Sequence, residues 1–287
     1  MSNVEPRFGR LITAMVTPFN DERELDLDRA QALATRLIEG GNDSLIINGT
    51  TGESPTVFYP QKIELFRAVV EAVGGKAPVI ANVGDNCTAD TVDFAKDVAK
   101  LGVDGFMCVV PYYNKPPQEG MYQHFKTIAD AVELPIILYN IPGRCVVNME
   151  AETTLRLAND CENIIAVKEA SGKMDQIATI AAAAPEGFSV YSGDDSATYD
   201  IMRLGGVGVI STTGNVAPER MKELVTKCAE GKWDEAWAAH EALLPLMNGL
   251  FETSNPILVK EALKLVGFPV GGVRLPLIDA TAEQSAR

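Results

Sequence analysis

The sequence has few of the residues that metal centres and acid–base centres commonly use. Its 287 residues include only two histidines, His124 and His240, too far apart to form a local ligand pair such as His-x-x-x-His. A histidine-based metal site or a Ser-His-Asp triad is therefore poorly supported. The five cysteines are scattered, odd in number and without Cys-x-x-Cys spacing, so we interpret them as reduced thiols.

Positive charge and long apolar runs are also scarce. Lys and Arg total 25 against 39 Asp and Glu, a net charge of −14 with no basic cluster, which argues against a nucleic-acid partner. No apolar run approaches the ~20 residues that span a bilayer. The N-terminus lacks the basic-then-apolar order of a signal peptide. We therefore expect a cytoplasmic protein.

Short apolar segments alternate with segments of helix length along most of the chain. Eight predicted strands cover residues 11–19, 44–48, 78–83, 105–110, 135–140, 164–168, 189–192 and 206–211. Predicted helices follow them at 27–40, 60–74, 89–101, 118–131, 150–158, 173–183, 195–204 and 219–231. This alternation, without a long linker, favours a closed (β/α)8 TIM barrel over an open doubly wound sheet.

Two domains are predicted on this basis, a barrel over residues 1–231 and a C-terminal helical extension over 232–287. The extension is interpreted as two helices and a tail. Its first helix has a wide apolar face, which we expect to pack on the barrel or on a neighbouring subunit. The residues of that face are Leu243, Leu244, Leu246, Met247, Leu250 and Phe251.

A lysine ends the sixth apolar run, Ile-Ile-Ala-Val-Lys-Glu at 164–169. In a parallel sheet wrapped by helices, the Lys168 ammonium would face an enclosed and poorly solvated cavity. A fall of about three units from an ordinary pKa of 10.4 would make the amine substantially neutral and suited to Schiff-base formation. The alternative is a lysine paired with Glu169 or another carboxylate, which this stretch alone favours.

Other strand ends supply polar groups that a barrel would gather into one ring. The turn Gly49–Ser54 is able to cradle a carboxylate or simply to cap a helix. The paired tyrosines in the segment 111–117 suit packing or proton transfer. Asp194 or Asp195 follows strand seven as a possible helix cap, and residues 208–212 form another small turn.

Strand five adds the two groups that bear most directly on Lys168. If strands five and six are neighbours, Tyr139 lies beside Lys168, where a phenol can shuttle protons. Arg144 follows on the next turn and is able to grip a carboxylate, unless it is a surface charge. Taken together, the strand ends favour Lys168 as a nucleophile.

The residues at these strand ends closely resemble the dihydrodipicolinate synthases, within the pyruvate-dependent class I aldolase superfamily that contains N-acetylneuraminate lyase. The resemblance covers nearly the whole chain. The matching motifs are Gly49-Thr50-Thr51-Gly52-Glu53-Ser54, Pro111-Tyr112-Tyr113-Asn114-Lys115-Pro116, Tyr139-Asn140-Ile141-Pro142-Gly143-Arg144, Val167-Lys168-Glu169-Ala170, Ser192-Gly193-Asp194-Asp195 and Asn255-Pro256.

The resemblance implies a reaction and assigns a role to each site residue. Lys168 would form an imine with pyruvate, and the derived enamine would attack the aldehyde of L-aspartate 4-semialdehyde. Cyclisation would then release 4-hydroxy-tetrahydrodipicolinate, the committed step of diaminopimelate and lysine biosynthesis. Tyr139, Thr50 and Tyr113 would relay protons, with Tyr113 reaching a neighbouring subunit.

The remaining roles concern binding. Thr51 would hold the pyruvate carboxylate and Arg144 that of the semialdehyde, while the main chains of Gly193 and Ile210 would line the pocket. The resemblance further implies a homotetramer that needs no metal or other cofactor.

Two other functions stay open at this point. One keeps the lysine chemistry with a different acceptor, a 2-keto-3-deoxy sugar acid or a hydroxy-oxoglutarate. Arg144 argues against it, because the Pro-Gly-Arg turn separates this chain from the sugar-acid lyases. The other is a non-catalytic barrel that binds a 2-oxoacid.

Two departures from the family pattern bear on packing and regulation. Cys145 stands where many relatives carry a threonine, which makes the local packing uncertain. Tyr59 and Lys62 occupy positions that are histidines in relatives inhibited by lysine, although Asn86 and Tyr112 match the inhibitor pocket. Because a cationic Lys62 would repel the ligand's ε-ammonium, we expect weak or absent inhibition by L-lysine.

Overall fold

The computed structural model describes residues 5–287, in which eight parallel strands form a closed barrel. Each strand pairs with the next along the chain, and the eighth pairs with the first. The strands are β1 (Leu11–Ala14), β2 (Ser44–Ile47), β3 (Val79–Asn82), β4 (Gly105–Val109), β5 (Ile136–Asn140), β6 (Ile164–Glu169), β7 (Ser189–Ser192) and β8 (Gly208–Ser211). The predicted (β/α)8 barrel is confirmed.

Helices follow the strands and cover the outside of the barrel. They are α1 (Leu27–Glu39), α2 (Tyr59–Val73), α3 (Thr88–Ala99), α4 (Gln118–Ala131), α5 (Pro142–Cys145), α6 (Ala151–Asp160), α7 (Met174–Ala183), α8 (Thr198–Arg203), α9 (Pro218–Ala229), α10 (Trp233–Gly249), α11 (Ile257–Leu265) and α12 (Ala282–Ser285). The predicted helices match these bounds closely, while the short α5 and α12 were not predicted. The predicted first strand was too long, because only its first four residues join the barrel ladder.

Local sequence explains where the helices begin and end. Asp26 caps α1 by accepting a hydrogen bond from the Arg29 amide, and the helix ends before Gly40. The helix presents Ala30, Leu33, Ala34 and Leu37 to the barrel, at the three-to-four-residue spacing of one helical face.

The core has two layers, as expected for a barrel wrapped by helices. Most of the buried apolar side chains lie between the strands and the helices. A smaller cluster fills the inside of the barrel and includes Ile12, Ile46, Ile80, Met107, Ile137, Tyr139, Tyr191 and Ile210. Because side chains alternate along a strand, the residues that point inward near the strand ends face the barrel mouth.

The segment after residue 231 packs against the barrel through several contacts. Leu243 and Met247 of α10 are buried in a cluster with residues of α9, whereas Phe251 is 45% exposed. Further along, Lys260 of α11 forms a buried ion pair with Glu53 in the loop after β2. The predicted packing of the first helix on the barrel is confirmed, and the domain boundary at residue 231 stays a prediction.

No helix within residues 5–287 combines the length and the apolar composition needed to cross a membrane.

Candidate active site

Lys168 occupies the centre of the barrel mouth. Its strand register places it directly between Tyr139 on β5 and Tyr191 on β7. The side chain is 5% exposed, and its Nζ lies 4.3 Å from the centre of the Tyr139 ring. Within residues 5–287 no carboxylate lies within ion-pair distance of this amine, so the pairing alternative is wrong.

Glu169 points to the other side of the strand. Its carboxylate accepts hydrogen bonds from the side-chain amides of Asn140 and Gln176 and from the Ser171 amide. These partners belong to β5, α7 and the loop after β6, so the carboxylate is stabilised without a cation. Because side chains alternate along a strand, the neighbours Lys168 and Glu169 point to opposite sides of β6.

Burial lowers the pKa of Lys168 to about 8. The charge of Asp195 acts in the opposite direction, and the charge of Arg144 adds to the lowering. At a pKa of about 8, roughly a tenth of the amine is neutral at pH 7, against less than a thousandth for an ordinary lysine. The site therefore holds an amine that is available as a nucleophile near neutral pH.

Tyr139 provides a protonated hydroxyl next to this amine. Burial raises the pKa of the Tyr139 phenol to about 12, while a hydrogen bond with Thr50 and the Arg144 charge partly offset the rise. The phenol is therefore protonated when Lys168 begins to lose its proton. Neighbouring hydroxyls beside an amine can pass protons to and from a reacting carbonyl.

The loop after β2 forms a tight turn at the same rim. Asn48 and Glu53 both adopt left-handed backbone conformations, with φ of 61° and 55°. A Cβ at Gly52 would lie 3.0–3.2 Å from backbone atoms of Asn48 and Gly49, so the turn leaves little room for a side chain there. The Thr17 hydroxyl donates to the Gly52 carbonyl and ties the turn to the β1 loop. Thr51 is thereby held at 2% exposure.

Gly193 approaches the lysine closely. A Cβ at this position would lie 2.7 Å from the Ala170 Cβ and 3.1 Å from the Lys168 Cγ, so a side chain would displace the lysine stem. Ile210 is buried in the inner cluster that contains Tyr139. Both predicted pocket-lining residues therefore lie at the mouth, Gly193 against the lysine and Ile210 in the layer around it.

Arg144 and Tyr113 are more exposed than the other predicted residues. Arg144 is exposed on α5, and its positive charge affects the pKa values of both Lys168 and Tyr139. Tyr113 is 88% exposed and has a left-handed backbone with φ of 73°. One copy of the chain thus gathers Lys168, Tyr139, Thr50 and Thr51 at the mouth and leaves Tyr113 facing outward.

Asp195 has a larger part in the site than the sequence suggested. It is 2% exposed and accepts hydrogen bonds from the Ser211 hydroxyl, the Thr212 and Thr213 amides and the Thr213 hydroxyl. We had interpreted Asp194 or Asp195 as a helix cap. Asp194 fulfils that role by accepting from the Ser196 amide, while Asp195 braces the turn after β8.

Asn255 was quoted in a family motif, but the sequence assigned it no role. Its side-chain amide donates to the Thr51 hydroxyl over 2.9 Å. The partners are 204 residues apart, so no local spacing signals this contact. No group of three or more His, Cys, Asp or Glu residues within 5–287 is arranged to hold a metal ion.

The barrel and the buried, unpaired lysine define a class of protein, TIM barrels that hold a buried lysine at the carboxyl ends of their strands. Residues 7–287 match the model of the dihydrodipicolinate synthetase family, and the chain belongs to that family.

Relatives and solved structures match this chain over nearly its full length. The chain is 53% identical to 4-hydroxy-tetrahydrodipicolinate synthase 1 of Halalkalibacterium halodurans, covering 96% of this chain and 93% of the relative. The structure of DHDPS from Cyanidioschyzon merolae with lysine bound superposes with a TM-score of 0.96 at 46% identity, covering 98% and 96% of the two chains. A monomeric dihydrodipicolinate synthase variant has a TM-score of 0.94 at 43% identity, covering 96% and 93% of the two chains.

Proposed function

We propose that this chain condenses pyruvate with L-aspartate 4-semialdehyde to form 4-hydroxy-tetrahydrodipicolinate and one water. This is the committed step of diaminopimelate and lysine biosynthesis. The observation that carries the proposal is the buried and unpaired Lys168 amine, 4.3 Å from the centre of the Tyr139 ring. The names of relatives that match over 96% of the chain support the choice of substrates.

The lysine acts as the nucleophile. Its neutral amine adds to the pyruvate ketone, and loss of water gives the imine. Removal of a methyl proton converts the imine to an enamine, whose carbon attacks the aldehyde carbon of the second substrate. The amino group of that substrate then attacks the imine carbon, closes the ring and releases Lys168. Every step is acid–base or addition chemistry, so the proposed route requires no metal or other cofactor.

Protons move through the hydroxyl groups next to the amine. Tyr139, protonated at neutral pH because burial raises its pKa to about 12, donates to the oxygen that leaves as water. Thr50, which lowers the pKa of the Tyr139 phenol, connects it towards the rim. In our proposal Tyr113 of a second copy completes the relay, which fits its 88% exposure in a single copy.

The two substrate carboxylates bind at different depths. Thr51, almost fully buried, holds the pyruvate carboxylate, and the main chains of Gly193 and Ile210 line that part of the pocket. Arg144, exposed at the rim, binds the carboxylate of the semialdehyde. This depth order suits a reaction in which pyruvate binds before the acceptor.

We further propose that the protein is a homotetramer, since Tyr113 needs a neighbouring chain to reach a site. Sedimentation velocity at micromolar concentration tests the assembly, and a single monomeric species with full activity would contradict it.

The chemical proposal is tested by borohydride reduction in the presence of pyruvate. We expect the peptide that contains Lys168 to gain the mass of a reduced pyruvate adduct, whereas an unmodified peptide would refute the imine mechanism. Turnover is then measured with the semialdehyde. Arg144→Ala should raise the KM for the semialdehyde at least tenfold and leave trapping with pyruvate intact, while the exposed Arg220→Ala serves as the matched control.

A further inference from the structure

The segment that joins α10 to α11 reaches the cradle for the 2-oxoacid carboxylate. Asn255 in this segment is 6% exposed, and its Nδ2 donates to the Thr51 Oγ1 over 2.9 Å. Within the described part of the chain, this is the one hydrogen bond that the Asn255 side chain makes. Its Oδ1 is buried without a partner.

An unsatisfied amide oxygen is unfavourable for folding. A buried polar atom without a hydrogen bond lowers the stability of the fold, so an apolar residue of the same shape would serve stability at least as well. By contrast, the buried Asn140 and Asn215 each use both their amide nitrogen and their amide oxygen in hydrogen bonds. The Asn255 side chain therefore makes its one hydrogen bond with Thr51 and leaves its oxygen unpaired.

The bond determines how the Thr51 hydroxyl is used. A hydroxyl has one hydrogen to donate and two lone pairs with which to accept. The Asn255 amide occupies one lone pair, and the nearest other partner, the Thr212 Oγ1, lies 3.4 Å away, at the weak limit for an O–H donor. The hydrogen of Thr51 therefore remains available to an acceptor in the pocket.

The extension is fixed to the cradle immediately beside this bond. The Lys260 Nζ lies 2.6 Å from the Glu53 Oε1, and both side chains are 2% exposed. The Arg274 amide donates to the other Glu53 oxygen over 2.9 Å, and its guanidinium donates to the Thr56 carbonyl over 2.7 Å. Glu53 lies two residues after Thr51. These contacts therefore fix the position of the segment that carries Asn255 relative to the turn that carries Thr51.

Resting on the proposed function, we propose that Asn255 is a positioning residue for the first substrate. It holds the Thr51 oxygen as an acceptor, so that the Thr51 hydroxyl donates its hydrogen to the carboxylate of the 2-oxoacid bound at Lys168. The residue acts through Thr51 and contributes to binding of the 2-oxoacid, not of the semialdehyde.

Asn255→Leu, which keeps the approximate shape and removes the amide, tests the proposal by steady-state kinetics. We expect the KM for pyruvate to rise about tenfold with the KM for the semialdehyde unchanged and the Tm within about 2 °C of the wild type. The matched control is Asn163→Leu at the opposite end of the barrel. Asn163 donates to the Ala129 and Val132 carbonyls, so this change should lower the Tm and leave the KM for pyruvate unaltered.

A double-mutant cycle tests whether the effect passes through Thr51. Asn255→Leu should change the KM for pyruvate less than twofold when Thr51→Val is already present. Equal effects in both backgrounds would overturn the proposal, and so would a wild-type KM for pyruvate in the single variant.

Asn255→Asp provides a second variant if the leucine protein does not fold. Its ionised carboxylate cannot donate to Thr51 and adds a negative charge, so the KM for pyruvate should be higher than in the wild type. The ratio of the two KM values should fall as the pH is lowered, because the carboxyl group is then protonated. A pH-independent ratio would contradict the proposal. Absence of a borohydride adduct in the wild-type protein would instead refute the proposed function.

Discussion

The two ends of the barrel deal with left-handed backbone in different ways. In the turns that lead into strands, positive φ falls on glycine, as at Gly41, Gly102 and Gly205. In the loops that leave the strands it falls mostly on residues with side chains. These are Arg23, Asn48, Glu53, Tyr113, Lys115 and Val146. Since such residues cost roughly 1–2 kcal/mol each in this conformation, the strain is concentrated at the end that holds the lysine.

The two ends also differ in how their charged side chains are paired. At the amino ends of the strands, Asp43 accepts from the Arg10 and Leu11 amides and pairs with Lys222. Asp104 accepts from the Val79 amide in the same way. At the carboxyl ends Lys168 is buried and has no carboxylate partner. Carboxylates satisfy backbone amides at both ends, as Asp195 does after β8, but the carboxyl end also buries a lysine that has no carboxylate partner.

The largest expected effect separates activity from stability at Lys168. Lys168→Met should lower kcat by about four orders of magnitude or more, because the nucleophile is lost. It should also raise the Tm at neutral pH, since a buried ammonium is replaced by an apolar side chain of similar volume. Turnover and borohydride trapping measure the loss of activity, and thermal unfolding measures the change in Tm. A Tm that falls together with the activity would contradict the separation of activity from stability at this residue.

The stability part of this effect depends on pH in a defined direction. The folded chain holds the Lys168 proton less tightly than the unfolded chain, with a pKa of about 8 against 10.5. The destabilisation by wild-type Lys168 is therefore fully present below pH 8 and disappears between pH 8 and 10.5. The Tm advantage of the methionine variant should shrink over the same range.

The next effect is a loss of stability without a loss of activity at the opposite end. Gly102 has φ of 83°, and a Cβ there would make only an ordinary contact, 3.7 Å from the Val70 Cγ1. Gly102→Ala should therefore cost about 1–2 kcal/mol through the backbone alone, with kcat unchanged. Urea denaturation and the turnover assay measure the two quantities. A tenfold fall in kcat would show that the two ends are not separable.

The pH dependence of imine formation gives a smaller effect. The rate should rise with pH and level off above pH 8, because only the neutral Lys168 amine reacts and its pKa is about 8. Asp195→Asn removes a charge that raises this pKa, so its profile should move to lower pH, whereas Arg144→Gln should move the profile to higher pH. Stopped-flow trapping with pyruvate measures each profile, and shifts in the same direction would contradict the assignment.

The smallest expected effect is that of L-lysine. Tyr59 and Lys62 line a cavity of about 310 Å3 beside the loop after β3, together with Asp85 and Asp90. A cationic Lys62 would repel the ligand's ε-ammonium, so we expect little or no inhibition. A submillimolar inhibition constant would contradict this expectation. The double variant Tyr59→His with Lys62→His should bind L-lysine more tightly than the parent protein.

The sequence by itself was sufficient to predict the barrel and much of its mouth. Short apolar runs alternated with segments of helical periodicity along the chain. Such hydrophobic patterns involve only residues that are close in the chain, so they can be recognised without the structure. Lys168 and Tyr139 were found because parallel strands of a barrel must bring their carboxyl ends together, and Thr50 was singled out by the family resemblance. Their roles as nucleophile and proton carriers are proposals that the geometry of the barrel mouth supports.

Only the tertiary structure showed what holds these groups in place. The sequence assigned neither Asp195 its brace on the turn after β8 nor Asn255 its bond to Thr51. The Glu53–Lys260 pair likewise joins residues that lie far apart in the chain. Such contacts depend on the packing of whole helices against the barrel, which no local pattern encodes. Hydrophobic periodicity therefore determined the position of Lys168 at the end of a barrel strand. Long-range packing determined that the lysine is buried there without a carboxylate partner.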